Sequence, residues 1–172
     1  MKKKIFSVFS LDKDIGGISK MIEISTMVLS NNKNNKINLF LIDKSATEKS
    51  LSEALEKKNI SIRRLSIIEK NLLKLGYLRN NYKKDIFESD IIFLHNYKLV
   101  KYLKRYLNFK PFILFFHTDK EKQIYGLEKI KKVLTVNSFT MKTINKKYKG
   151  EIAKYLPNCI DTRNKKLVFK KS

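Results

Sequence analysis

Several residue types are rare in this sequence, and each shortage excludes a class of protein. The chain has one cysteine, no tryptophan, two prolines and five glycines. Because Cys159 stands alone, an internal disulfide and a cysteine metal cluster are both excluded, and this usage fits a reducing compartment. So few prolines and glycines exclude a fibrous or linker-rich chain. No apolar run approaches the roughly 18 residues that a membrane-spanning helix needs, so we expect a cytoplasmic chain whose membrane contact, if any, is peripheral.

Acidic residues are also scarce. The sequence holds 38 Lys and Arg against 16 Asp and Glu, a formal net charge of +22 at pH 7. Such an excess attracts phosphates, nucleic acid and anionic lipid headgroups. The basic residues are spread over both halves of the chain, and an A/T-rich coding sequence would also enrich Lys, Asn and Ile. Charge alone therefore leaves the partner open.

Short apolar runs alternate with segments of helical periodicity along the 172 residues, a length that suits one domain. The predicted strands are 5–9, 37–42, 61–67, 91–94, 112–116, 132–136 and 151–156. The predicted helices are 18–29, 47–58, 70–84, 98–107, 120–130 and 138–149. Because parallel neighbours need helical crossovers, this alternation predicts a doubly wound, Rossmann-like α/β fold, a three-layer sandwich around a mainly parallel sheet of about seven strands.

Two histidines follow predicted strands at the edge where such sheets bind ligands, beyond the carboxyl ends of the strands. His117 follows strand 112–116, with Asp119 two residues later, and His95 follows strand 91–94. An imidazole at that edge acts as a base or binds a phosphate or a hydroxyl. The competing interpretation is a loop histidine hydrogen-bonded to backbone, and position alone does not decide between the two.

A glycine pair, Gly16 and Gly17, lies between the first predicted strand and the first predicted helix. Missing side chains there let backbone N–H groups and the helix N-terminus approach a phosphate, although an ordinary turn needs glycine just as well. The dinucleotide pattern G-x-G-x-x-G and the phosphate-loop pattern G-x-x-x-x-G-K-[ST] are both absent. Alone, the pair is a weak signal.

Four segments together resemble family 4 glycosyltransferases. Residues 155–161, Tyr-Leu-Pro-Asn-Cys-Ile-Asp, resemble the P-N-G-[VI]-D sequence that closes the N-terminal domain of that family. Residues 133–138 resemble its step of strand, serine and helix, residues 115–117 its strand followed by histidine, and residues 14–17 its opening glycine turn. They occur in the family's order and cover nearly the whole chain.

The resemblance implies a GT-B enzyme, in which two Rossmann-like domains face a cleft and transfer a sugar from a nucleotide-sugar donor to a glycan or lipid-linked acceptor. Residues 1–161 would be the N-terminal, acceptor-side domain, and residues 162–172 a basic tail or the start of a linker. By position, His117 would face the reacting sugar as the catalytic residue. The residues predicted to bind substrate or phosphate, or to shape the cleft, are Gly16, Gly17, His95, Asp119, Ser138 and Asn158.

No cofactor is expected, because two separated histidines and one cysteine make a poor metal ligand set. The sequence also departs from the family. Cys159 stands where the family has glycine, and the sequence ends at Ser172, eleven residues after Asp161, with no segment that resembles a donor domain. We therefore expect no sugar transfer by this chain alone. It would be a fragment, a truncated gene product or one half of a split enzyme that works with a separate donor-binding domain or subunit.

Predicted helix 98–107 carries lysines opposite an apolar side. Leu99, Leu103 and Leu107 form that side. The pattern suits docking to an anionic membrane surface, but an ordinary helix packed on a sheet shows it too. Two other functions stay open: a non-catalytic basic module that binds anionic lipid or nucleic acid, and a nucleotide-dependent enzyme of another kind. Nucleic acid is the less favoured partner, because no RNA-binding or DNA-binding motif is present.

Overall fold

The computed structural model of the chain describes residues 3–11, 17–42, 59–117, 124 and 126–157, and within them seven strands form one sheet. The strands are β1 (Lys4–Ser10), β2 (Asn35–Leu41), β3 (Ile60–Arg64), β4 (Ile91–Leu94), β5 (Phe112–Phe116), β6 (Lys132–Thr135) and β7 (Ala153–Tyr155). The helices are α1 (Gly17–Ser30), α2 (Ile67–Lys74), α3 (Asn80–Glu88), α4 (Lys98–Tyr102) and α5 (Ser138–Lys147).

The strand order in the sheet is β3-β2-β1-β4-β5-β6-β7, and every pair of neighbours is parallel. The central strands are buried on both faces, which is why they read as continuous apolar runs. In register, Phe9 of β1 lies opposite Phe40 of β2 and Leu94 of β4. The Phe9 and Phe40 rings stack with centroids 4.2 Å apart, and both side chains are fully buried. The predicted α/β Rossmann-like fold is confirmed.

Helices cover both faces of the sheet, and alternate residues of β1 belong to different cores. Val8 packs with Ile22 of α1 in the smaller core. Phe9 belongs to the larger core on the other face, to which α2, α3, α4 and α5 contribute Leu73, Ile86, Leu99 and Ile144. Because side chains of a strand alternate between faces, this split is the one expected of a sheet between two helical layers.

Four predicted elements differ from the structure. The predicted strand 61–67 ends earlier, because β3 stops at Arg64 and Ile67 already begins α2, with Ser66 as its cap. The predicted helix 70–84 is two helices, α2 and α3, because Gly76 between them adopts the left-handed φ of 81°. The predicted helix 120–130 is wrong over 126–130, which are not helical and begin with Gly126 at φ 78°. Helix α4 ends at Tyr102, earlier than predicted. Predicted helix 47–58 lies outside the described residues.

The apolar side of residues 98–107, which the sequence offered for membrane docking, faces the core. Leu99, Leu103 and Leu107 are 0, 0 and 5% exposed. Lys101 and Lys104, on the other side, are exposed. Within the described part of the chain, no helix is long and apolar enough to cross a membrane.

Candidate functional site

The strand order reverses between β1 and β4, and this point is where open α/β sheets form a crevice for ligands. From β1 the chain builds outward through β2 to β3 on one side, and β4 to β7 extend the other side. The backbone N–H of His95, the residue after β4, donates to the carbonyl oxygen of Phe9 at 3.0 Å. His95 is thereby held at the carboxyl ends of both strands, as predicted.

The His95 side chain is fully buried. Its ring stacks on Phe115 of β5 with centroids 4.2 Å apart and planes 9° from parallel. Its Nε2 lies 3.5 Å from the hydroxyl oxygen of Ser25 on α1, a long hydrogen bond. Its Nδ1 has no hydrogen-bond partner among the described residues. Burial above all, with a smaller effect of His117, holds the pKa of His95 well below 6.5, so its ring is neutral at pH 7.

His117 follows β5 on the same face of the sheet. Its ring lies 5.9 Å from that of His95, with an angle of 18° between the planes. Burial lowers its pKa from 6.5 to about 4. Its Nε2 is buried and has no partner in the part of the chain that the structure describes. The fold therefore brings both predicted histidines together, over Phe115, as two neutral rings with unsatisfied nitrogens.

Such a pair can exchange hydrogen bonds with a ligand but cannot hold it by charge. A neutral imidazole donates from one nitrogen and accepts at the other. Buried polar atoms are normally paired, so two buried ring nitrogens at one edge that lack partners among the described residues favour a polar ligand group there. No set of three or more His, Cys, Asp or Glu side chains within the described ranges could hold a metal ion.

Ser138 is the first residue of α5, and its side chain is exposed. The helix cap is its neighbour Asn137, whose Oδ1 accepts from the N–H groups of Phe139 and Thr140 at 2.8 and 3.2 Å. Since Thr135 of β6 pairs with Phe116 of β5, Ser138 and His117 follow neighbouring strands at the same edge. The hydroxyl of Ser138 is not needed for the cap that Asn137 supplies.

The other predicted site residues are only partly described. Gly17 is the first residue of α1, so the structure places a helix N-terminus just after the β1 edge. Gly16, Asp119 and Asn158 lie outside the described residues. The sequence reasoning did not identify Ser25 or Phe115 as part of the site. Ser25 could have been found as a polar residue among the apolar positions of α1. Phe115 was marked only by its position in a predicted strand.

A groove of about 250 Å³ lies beside this edge, between α4 and residues 126–129. Tyr97 and Leu107 form apolar parts of its wall, and Lys101, Lys104 and Lys129 line it as well. Neither histidine lines the groove. The groove and the histidine pair are thus separate features. We take the histidine pair as the candidate site, because its ring nitrogens lack partners among the described residues.

No protein-family model and no curated protein matches the sequence. Solved structures do match the fold. The lipopolysaccharide outer core galactosyltransferase WaaB, in its apo form, superposes with a TM-score of 0.57 at 17% identity over 94% of this chain and 47% of that one. The chain shares its fold with about half of that structure. Family 4 membership stays a prediction.

The same fold occurs in Alr3699/HepE of Anabaena. Its complex with UDP superposes with a TM-score of 0.62 at 15% identity, over 92% of this chain and 44% of that one. Its complex with UDP and glucose superposes with a TM-score of 0.64 at 13% identity, over 92% of this chain and 45% of that one. The chain thus spans less than half the length of each of these three structures.

Proposed function

We propose that this chain is the N-terminal, acceptor-side domain of a GT-B glycosyltransferase of the family 4 type. The enzyme would transfer a sugar from a nucleotide-sugar donor to a glycan or lipid-linked acceptor. The observation that carries the proposal is the pair of neutral imidazoles at the β1/β4 edge of a seven-stranded parallel sheet, each with a buried ring nitrogen that has no hydrogen-bond partner among the described residues. Support comes from the matched structures, one of which holds UDP and glucose.

His117 would act by hydrogen bonding to the reacting sugar. A base with a pKa of about 4 is almost wholly unprotonated at pH 7 but is too weak to take a proton efficiently from a hydroxyl. Its Nε2, which has no partner among the described residues, suits one hydroxyl of a sugar. Donor phosphate would instead be met by the N-terminus of α1 at Gly17, where unpaired backbone N–H groups favour an anion. Gly16, Asp119, Ser138 and Asn158 would complete the cleft.

Transfer would need a donor-binding domain or subunit, in line with a chain that covers less than half of the matched structures. No metal is required in this proposal. We place the protein in the cytoplasm, peripheral to the inner face of the membrane, where a lipid-linked acceptor would be reached.

Histidine NMR tests the proposal directly, because the chain has two histidines. The His117→Gln variant assigns the ring signals. We expect UDP-glucose or an oligosaccharide acceptor to shift the His117 ring signals at millimolar concentration, and UDP, which lacks the glucose, to leave them in place. Ring signals that respond to neither sugar compound would contradict the proposed site.

A second function is favoured by the net charge of +22: a non-catalytic basic module that binds anionic lipid or nucleic acid. A gel-shift assay at several salt concentrations separates the two. Tight binding to nucleic acid that weakens steeply with salt, together with no response to phospholipid, would support the module and count against the transferase.

A further inference from the structure

Helix α2 presents apolar side chains to solvent. Ile67, Ile68 and Leu75 are 77, 70 and 69% exposed, and Leu72 is 37% exposed. Ile68, Leu72 and Leu75 are spaced by four and three residues, so they share one side of the helix. We call these four side chains the α2 apolar surface. Isolated exposed apolar residues are common, but a contiguous cluster marks an interaction site.

The orientation of α2 is set by the contacts of its other side. Leu73 is fully buried in the larger core. Glu69 accepts from the N–H of Ser66, whose hydroxyl accepts from the N–H of Glu69, and Glu69 also pairs with Arg79 at 3.1 Å. Turning the α2 apolar surface inward would break this capping box and the ion pair. The apolar surface is therefore a stable feature of the fold.

The surroundings of this surface are basic. Residues 60–88 contain seven Lys and Arg against three acidic residues, Glu69, Asp85 and Glu88, which pair with Arg79, Arg63 and Lys84 and leave an excess of four positive charges. Lys74 in the last turn of α2 is exposed. Beyond the helix, the Arg105 guanidinium lies 4.4 Å from the centre of the Tyr77 ring. That contact joins the segment after α2 to the segment after α4. Lys101 and Lys104 of the latter region are exposed, with Glu128 as an acidic residue lining the same groove.

We propose that the α2 apolar surface docks on an anionic lipid bilayer, with its isoleucines and leucines in the headgroup and acyl boundary and the lysines beside them at the phosphates. Apolar side chains flanked by lysine are typical of interfacial helices, and each basic residue near an anionic leaflet adds about 1 kcal/mol, roughly fivefold in affinity.

A protein partner fits less well, because the cores of protein interfaces are depleted in lysine. The inference deepens the peripheral location proposed above, yet vesicle binding and sugar binding are separate measurements. Either can fail without the other.

A tryptophan reporter tests the contact, since the chain has no tryptophan of its own. In the Ile68→Trp variant we expect the emission to shift to the blue on addition of phosphatidylcholine vesicles that contain phosphatidylglycerol. The matched control is Val28→Trp on α1, where the native side chain is 63% exposed. An unshifted emission at position 68, or an equal shift at both positions, would overturn the proposal.

Vesicle co-sedimentation tests the energetics. The I67S/I68S variant should bind phosphatidylglycerol vesicles at least about tenfold more weakly, because it removes two apolar side chains from the membrane boundary. The control variant V28S/F139S changes two side chains that are 63 and 67% exposed on α1 and α5, and should bind like the wild type. Circular dichroism checks that both remain folded.

Three results would refute the docking surface. Equal binding by both double variants would mean that diffuse charge alone attracts the chain. Equal binding to pure phosphatidylcholine would remove the role of the lysines. Self-association that is lost in I67S/I68S, without any vesicle binding, would identify a second copy of the chain as the occupant.

Discussion

Acidification should destabilise this chain through its two histidines before most carboxylates titrate. Both rings are neutral in the folded chain, His95 fully buried and His117 partly buried, and the pKa of His117 falls from 6.5 in the unfolded chain to about 4 in the folded one. Between these values the unfolded chain binds more protons than the folded chain. The contribution to stability is therefore complete above about pH 6.5, declines as the pH falls, and is lost below about pH 4.

The size of the effect follows from the shift. One pKa unit corresponds to about 1.4 kcal/mol, so the full shift of His117 would be worth about 3 kcal/mol. The side chain is partly exposed, and solvent screening reduces this to about 2 kcal/mol. His95 adds a loss of the same sign. Burial raises the pKa of Glu69, but its hydrogen bonds from Ser66 and the charge of Arg79 outweigh burial and hold the pKa below 4.5. The contribution of Glu69 to stability is therefore lost only at more acidic pH than that of His117.

Urea unfolding followed by circular dichroism, at several pH values between about 4 and 6.5, measures this dependence. His117→Gln should reduce the pH dependence of the free energy of unfolding by the contribution of His117, because an amide does not titrate. Lys104→Gln, an exposed charge change, is the control and should leave the slope unchanged. If the curves of wild type and His117→Gln ran parallel, the ring would not be buried as the structure has it.

Three further predictions concern stability and are measured by the same urea unfolding. Phe9→Ala should lower the free energy of unfolding by about 3–5 kcal/mol, because it leaves a cavity beside Phe40 in the larger core, and a loss below about 1 kcal/mol would contradict that packing. Asn137→Ala should cost about 1 kcal/mol by removing the α5 cap, whereas Asn137→Asp should retain most of it. Gly76→Ala should lower the free energy of unfolding by about 1–2 kcal/mol, because its φ of 81° is strained for alanine. The Cβ itself would have room, since its nearest neighbour is Arg105 at 3.5 Å. An unchanged midpoint of urea unfolding would refute the strain.

The sequence indicated the sheet edge at which the histidines lie, because each follows an apolar run of strand length. It could not show that Phe115 would stack on His95, or that both pKa values would fall. Those effects depend on which strands become neighbours and on what covers them. Ser25 illustrates the point: it reaches His95 across 70 residues of sequence, and only the packing of α1 on the sheet creates the contact.

By itself, then, the sequence determined the parallel α/β architecture, since local periodicity and glycine turns indicate where the strands and helices lie. The tertiary structure decided which apolar stripes serve the core and which face solvent. Leu99, Leu103 and Leu107 looked suited to a membrane yet are buried. Ile67, the last residue of predicted strand 61–67, and its neighbour Ile68 are instead exposed on α2. The spacing of apolar residues shows which side of a helix is apolar. Only the packing of that helix on its neighbours determines whether the stripe meets protein or water.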